Sequence, residues 1–269
     1  MKKRLIKILI ILISIHIILF GLLYCFQEKL IFIPQKLDKN YQFAFEGNYE
    51  EINIKSTDGK SINGVLFKTD NPQGLIIFLH GNAGALDSWG GIASIYTDFN
   101  YDIFIFDYRS YGKSEGKINN QEQLFQDNQA VYDELKKNYN EDEIVIIGHS
   151  IGTGLAAKLA SNNNPRLLIM QAPYYSLSDM LKHSYYFPAF LLKYKIETNK
   201  YLQSCEMPVV IFHGNQDKIV YYGSSLKLEE EFKSQDTLIT LDGEDHNGIL
   251  YNEIYRTEIK KVLMKDYEY

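Results

Sequence analysis

Six short apolar runs, at residues 75–79, 103–106, 144–147, 167–170, 209–212 and 238–241, constrain this chain more than any other feature. Each is nearly continuous rather than alternating, the pattern of a strand buried on both faces. Between and after them lie segments whose apolar residues recur at helical spacing, as at Ile151, Leu155 and Leu159: residues 86–99, 121–138, 151–161, 224–232 and 251–265. Strand alternating with helix requires a mostly parallel sheet covered on both faces, a doubly wound α/β architecture. Ahead of it, residues 51–68 give two β-branched-rich runs around Thr57-Asp58-Gly59, a hairpin, because Asp-Gly provides the positive φ of a tight turn. No internal repeat or low-complexity linker divides residues 35–269. The one irregular insertion is 173–207, longer than an ordinary connection.

The N-terminus is different in kind. Residues 8–26 are 19 consecutive positions without a formal charge, which at ~1.5 Å per residue nearly spans the ~30 Å core of a bilayer. Lys2, Lys3, Arg4 and Lys7 flank this run on one side only, so the positive-inside rule keeps the N-terminus cytoplasmic and delivers everything after Glu28 to the other face. A cleaved signal peptide would have an apolar region of about 7–15 residues ending in small side chains, whereas this one leaves through Leu22-Leu23-Tyr24-Cys25-Phe26. Lipoprotein-type cleavage before Cys25 would need a small residue where bulky Tyr24 stands. The expectation is a single-pass membrane protein: an uncleaved anchor over 1–28 with a basic cytoplasmic flank, and a non-cytoplasmic domain over 29–269. Residues 29–34 form a short apolar stretch ended by Pro34, expected against the membrane surface or the domain.

Composition then excludes two classes. With 45% hydrophobic and 23% charged residues the chain is not a disordered one. Its net charge of −6 combines four N-terminal bases with a remainder of 24 basic and 34 acidic groups, and that acidic body would be repelled by nucleic acid. Cys25 and Cys205 make no disulfide framework.

The run at 144–147 leads directly into Gly148-His149-Ser150-Ile151-Gly152 and then a helical segment, the strand–turn–helix setting of a G-x-S-x-G nucleophile elbow. A serine lifted clear of a sharp turn needs tiny residues two before and two after it, where neighbouring chain approaches. Two overlapping patterns fail. Gly152-Thr153-Gly154-Leu155-Ala156-Ala157 resembles a dinucleotide fingerprint but lies inside the helix, and the next strand ends at Gln171 without a ribose-binding acid. Gly112-Lys113-Ser114 has Asp107 where a phosphate loop needs its first glycine. Neither a cofactor nor a metal is expected.

Serine is a weak nucleophile until an imidazole takes its proton and a carboxylate orients that imidazole. His246 lies in a loop after the last strand, and Asp217 follows the strand that ends at His213, giving the chain order Ser150, Asp217, His246. Glu244 and Asp245 are weaker acid candidates, too close to His246 in sequence to orient its ring. Two backbone donors are then needed for an oxyanion: one at Ile151, after the nucleophile, and one in His80-Gly81-Asn82-Ala83-Gly84, where Asn82 is the first choice and Ala83 the second.

Over roughly residues 27–260 the chain resembles the α/β-hydrolase superfamily, and within it membrane-anchored serine hydrolases related to acylglycerol lipases and protein depalmitoylases. The likeness rests on Gln27-Glu28-Lys29-Leu30-Ile31-Phe32, His80-Gly81-Asn82, residues 106–116 (Phe-Asp-Tyr-Arg-Ser-Tyr-Gly-Lys-Ser-Glu-Gly), the elbow, His213-Gly214-Asn215-Gln216-Asp217 and Asp245-His246-Asn247. Ser110 departs from it, standing where relatives usually carry glycine. Asp107 and Arg109 read as scaffold charges that pair within the fold. The resemblance makes 173–207 a lid, and its Tyr174, Tyr175, Tyr185, Tyr186, Phe187, Phe190, Tyr194 and Tyr201 either receive an acyl chain or pack the lid onto the domain. The expected activity is hydrolysis of a carboxyl ester or thioester of a small-molecule or lipid acyl substrate. A serine peptidase or amidase, with Asp179, Glu197 or Glu206 binding an amine, and a non-catalytic membrane-tethered binding module are the rival readings.

Overall fold

The hairpin at the start of the domain consists of β1 (Asn48–Lys55) and β2 (Ser61–Lys68), paired antiparallel. Gly59 in its turn has φ of +78°, the conformation that the Asp-Gly pair anticipates. The structure, a computed structural model, describes residues 2–184 and 188–264.

The six apolar runs are β3 (Leu75–Leu79), β4 (Asp102–Phe106), β5 (Ile144–His149), β6 (Leu167–Gln171), β7 (Val209–Gly214) and β8 (Thr237–Leu241). They join the hairpin in one eight-stranded sheet of order β1-β2-β4-β3-β5-β6-β7-β8, with β2 antiparallel to β4 and every later pairing parallel. The strands β3 to β7 are buried at every position because both faces are covered, which is why their sequences do not alternate. Ile77, Leu79 and Ile146 pack toward α2 (Gln121–Leu135) and α3 (Ile151–Ala160). Ile76, Phe78 and Ile147 pack toward residues 93–97 and the final helix α5 (Glu253–Leu263). The connection after β3 goes to one side of the sheet and β5 lies on the other, so the C-terminal ends of β3 and β5 meet at the switch point where open α/β sheets carry their sites.

Two elements differ from the sequence reading. Residues 86–99 are not one helix but Leu86–Trp89, a 3-10 turn Gly90–Ile92, and Ala93–Thr97. The break falls at Gly90, where a side chain would come within 2.3 Å of the Phe45 ring; apolar spacing continues through the break and so does not reveal it. At the other end of the chain, a 3-10 turn at Ile249–Tyr251 precedes α5, and Lys265 lies outside the described residues.

The N-terminal apolar run is part of α1 (Lys2–Ile31), which at ~1.5 Å per residue is about 45 Å long. By length and composition it can cross a membrane, as an anchor or as a signal sequence. Most of its apolar side chains are exposed, and of its residues only Gln27 is buried. The chain then forms a two-residue parallel pairing of Ile33–Pro34 with Ala83–Gly84, in the loop after β3.

Candidate active site

Ser150 stands between β5 and α3 with φ of 53° and ψ of −118°, a backbone conformation that few non-glycine residues adopt. Its neighbours show why the turn needs small residues. A side chain on Gly152 would lie 2.1 Å from the carbonyl oxygen of Leu79, and one on Gly148 would lie 2.6 Å from that of Gly152. The turn is pinned by the Ser150 amide donating to the Gln171 carbonyl at 2.9 Å, and by the Thr153 hydroxyl donating to the Ser150 carbonyl at 2.6 Å.

The loops after β7 and β8 bring two further side chains to this serine. His246 Nε2 is 3.0 Å from Ser150 Oγ, and His246 Nδ1 is 2.6 Å from Asp217 Oδ2. With the Nδ1 proton donated to the carboxylate, Nε2 is left as the acceptor facing the hydroxyl. All three side chains are nearly buried. Asp217 Oδ1 accepts from the Ile219 and Val220 amides at 2.8 Å each. Burial alone would raise the Asp217 carboxyl, but hydrogen bonds from His213 and His246 outweigh it and hold the group well below the usual carboxylate range. Glu244 and Asp245 are engaged elsewhere: Glu244 accepts from Asn252 Nδ2 at 2.8 Å, and Asp245 from the Asn247 and Gly248 amides.

His213 belongs to this group and was not assigned to it from sequence. Its Nε2 is 3.1 Å from Asp217 Oδ2, and its Nδ1 is 2.6 Å from Ser225 Oγ. The spacing of four residues between His213 and Asp217 was the available signal, but only the turn after β7 folds the carboxylate back onto the ring. His149 is a second neighbour. It is buried against Trp89, with ring centroids 5.4 Å apart, and equally close to His246. Burial first, and then the proximity of His246, push its imidazole down to about 3, so it stays neutral beside the His246 ring.

A cavity of about 260 Å³ opens over Ser150. Asn82 and Ile151 border it beside the serine, and Leu177, Met180 and Leu181 from α4 (Leu177–Ser184) form one side. Ile151 opens α3, so its N–H has no acceptor within the helix. Ala83 does not line this cavity. The lid aromatics mostly pack: Tyr174 and Tyr194 are buried in the core, and of the described ones only Tyr174 borders the cavity. Tyr185, Tyr186 and Phe187 lie outside the described residues. Of the two readings of these rings, packing the lid onto the domain is the one most of the described ones follow, and aliphatic and methionine side chains make up most of the cavity wall.

Arg109 is a scaffold charge, bidentate to Asp127 at 2.6 Å and paired with Asp58 at 3.0 Å. Ser110 adopts φ of +74°, the conformation glycine would take most easily, and its hydroxyl accepts from the Ile118 amide at 3.1 Å. Among the described residues no cluster of His, Cys, Asp and Glu could hold a metal ion.

Residues 70–195 match a family model described as serine aminopeptidase, S33 (Hydrolase_4). An esterase from Pyrococcus furiosus superimposes with a TM-score of 0.70 over 87% of this chain and 98% of its own, at 19% identity. The chain has the α/β-hydrolase fold. Est1E of Butyrivibrio proteoclasticus, solved with ferulic acid bound, shares this fold at 21% identity and a TM-score of 0.68, covering 80% of this chain and 98% of that one. In sequence the chain is 28% identical to a protein of Acanthamoeba polyphaga mimivirus over 78% of its length and 80% of the relative's. It is 27% identical to protein bem46 of Schizosaccharomyces pombe over 77% and 75%, respectively.

Proposed function

We propose that this hydrolase cleaves a carboxyl ester or thioester of a hydrophobic acyl group through an acyl-enzyme. The observation that carries this reading is a serine hydroxyl that faces an apolar cavity while hydrogen-bonded to an imidazole backed by a carboxylate. Ser150 Oγ attacks the acyl carbon as His246 Nε2 takes its proton, and Asp217 stabilises the imidazolium. The Ile151 and Asn82 amides hold the oxyanion, the electrostatic contribution for which such donors are worth several kcal/mol, on the order of 10²–10³ in rate. His246 then returns the proton to the leaving oxygen or sulfur. Water, deprotonated by the same ring, releases the acid.

Beside His246 lies a second depression of about 330 Å³ bordered by Gln216, Lys218, Ile219, Asp245, His246 and Asn247. The aminopeptidase reading lacks an amine site: no carboxylate lines the apolar cavity among the described residues, while Asp179 is bonded to Lys227 and Glu197 to Lys200. The N-terminal bases and α1 support a single-pass anchor with the hydrolase domain on the non-cytoplasmic face. A cysteine reporter near the C-terminus is then expected to react with an impermeant maleimide in intact cells, and protection until lysis would reverse the orientation.

Fluorophosphonate labelling tests the chemistry. Wild-type protein is expected to label and to hydrolyse p-nitrophenyl and thioester substrates in preference to aminoacyl amides, while Ser150→Ala folds, does not label and has no turnover. Wild-type turnover in Ser150→Ala would remove the assignment.

A further inference from the structure

One wall of the substrate cavity belongs neither to the sheet nor to the lid. Leu30 and Ile31, the last residues of α1, and Ile33 just beyond it line the cavity together with the α4 side chains. This wall is fastened on two sides. Toward the lid, Gln27 Nε2 donates to the Leu191 carbonyl at 2.8 Å, and the Lys193 amide donates to Gln27 Oε1 at 2.7 Å. Glu28 pairs with Lys193 and accepts from the Tyr194 hydroxyl, each at 3.1 Å. Toward the loop after β3, Asn82 Nδ2 donates to the Ile31 carbonyl at 2.6 Å, and its Oδ1 accepts from the Ile33 amide at 3.1 Å and the Tyr111 hydroxyl at 2.8 Å. The residue chosen for its oxyanion amide therefore also grips the end of α1 with its side chain. A buried amide satisfied at both atoms, in a helix otherwise exposed, marks a fixed docking rather than a chance contact.

The cavity rim is apolar and exposed. Leu30 and Ile33 are each 60% accessible, and Phe190 at the lid edge is 80% accessible. Phe190 meets Phe20 of α1 edge to face, ring centroids 6.3 Å apart, and Phe20 lies within the uncharged run 8–26. Whatever surrounds that run also bathes the lid edge. Exposed apolar rims continuous with a membrane-length helix are lipid contacts.

We propose that the end of α1 is a specificity-determining wall of the substrate cavity, along which the acyl chain of an ester or thioester held in the same bilayer enters from the lipid. This rests on the ester-hydrolase reading and adds the route of entry and the residues that select the chain. A change of one methylene in an apolar pocket is worth about 10–200-fold in discrimination, so altering this wall moves chain-length preference.

The test uses full-length protein in phosphatidylcholine vesicles, with p-nitrophenyl palmitate in the membrane and p-nitrophenyl acetate in water. Leu30→Glu puts a charge on the entry rim and Ile33→Trp fills the cavity. Each is expected to lower the palmitate-to-acetate ratio of kcat/KM by at least about tenfold. Wild-type protein needs no substitution for the second arm: palmitate in the enzyme's own vesicles is expected to be cleaved faster than palmitate in separate vesicles. Ratios within about twofold of wild type in labelling-competent variants, or equal rates from the two vesicle populations, would overturn the inference and leave the hydrolase reading standing. Failure of wild-type protein to cleave either ester would remove both.

Discussion

Two buried aspartates face histidines on opposite sides of the elbow, and the fold treats them in opposite ways. Asp217 accepts from the His246 and His213 rings and from two backbone amides, and its carboxyl is held low despite its burial. Asp107, just after β4, accepts from the Leu86 amide at 2.9 Å and lies 3.5 Å from His80 Nε2. Its Oδ2 has no hydrogen-bond partner among the described residues, and burial, only partly countered by His80, pushes its carboxyl up. Both have an imidazole neighbour, so the difference lies in the number of donors. An anion stabilises an imidazolium more strongly than a neutral acid does, which fits Asp217 to orient His246. Asp107 fits a scaffold role: Gly112, with φ of +43°, is packed so closely on it that a side chain there would lie 1.7 Å from Oδ2.

The contrast breaks first at Asp217. Asp217→Asn keeps the size of the side chain but not the charge, and kcat is expected to fall by up to ~10⁴ with little change in KM. Steady-state kinetics on a short ester would reveal an unaffected kcat, and with it a misplaced acid. His213→Phe removes one donor from the carboxylate while filling its space. Hydrogen bonds to charged groups contribute about 1.5–3 kcal/mol, so a loss of roughly 10–100-fold in kcat is expected, with an acid limb of the pH profile displaced upward. Asp107→Asn is expected to leave kcat within about tenfold and to act on stability, by about 1–3 kcal/mol.

The pH dependence of stability distinguishes the two aspartates by sign. Asp217 has a lowered carboxyl, so its contribution is complete above the unfolded value of ~3.9 and is lost as pH falls through the folded one. Asp107 has a raised carboxyl, so its contribution is complete below ~3.9 and is lost as pH rises through the folded value. Urea titrations from pH 3 to 7 should therefore show Asp217→Asn losing ground to wild type as pH rises, and Asp107→Asn gaining it. Trends of the same sign would cancel the distinction. The smallest effect is expected at Asp245→Asn, a surface change within about 0.5 kcal/mol and with near-normal kcat.

What was legible in the sequence was whatever depends on neighbours along the chain. Apolar runs gave the strands, the glycines around Ser150 gave the elbow, and the loops after the last two strands gave His246, which meets Ser150, and Asp217, which meets His246. What escaped were contacts between distant segments. Nothing local in Gln27 announces that its amide is shared with Leu191 and Lys193, and nothing in Asn82 tells its side chain from its backbone as the working part. His213 reads as a strand terminus until the turn closes on Asp217. The lid aromatics were ambiguous because a ring that fills a core and a ring that receives a ligand have the same composition signal.

The clamps on residues 27–33 have a kinetic consequence. A flexible tether lets a domain swing through a volume set by linker length, but here the helix passes into the domain with its last turn bonded on both sides. Were α1 to anchor it in a bilayer, such a domain would be held at one height and would meet membrane-borne substrate by lateral diffusion in the plane. Its turnover would then follow the mole fraction of substrate in the surface rather than the amount per volume of solution, and dilution of the vesicles at constant lipid composition would leave the rate per enzyme unchanged.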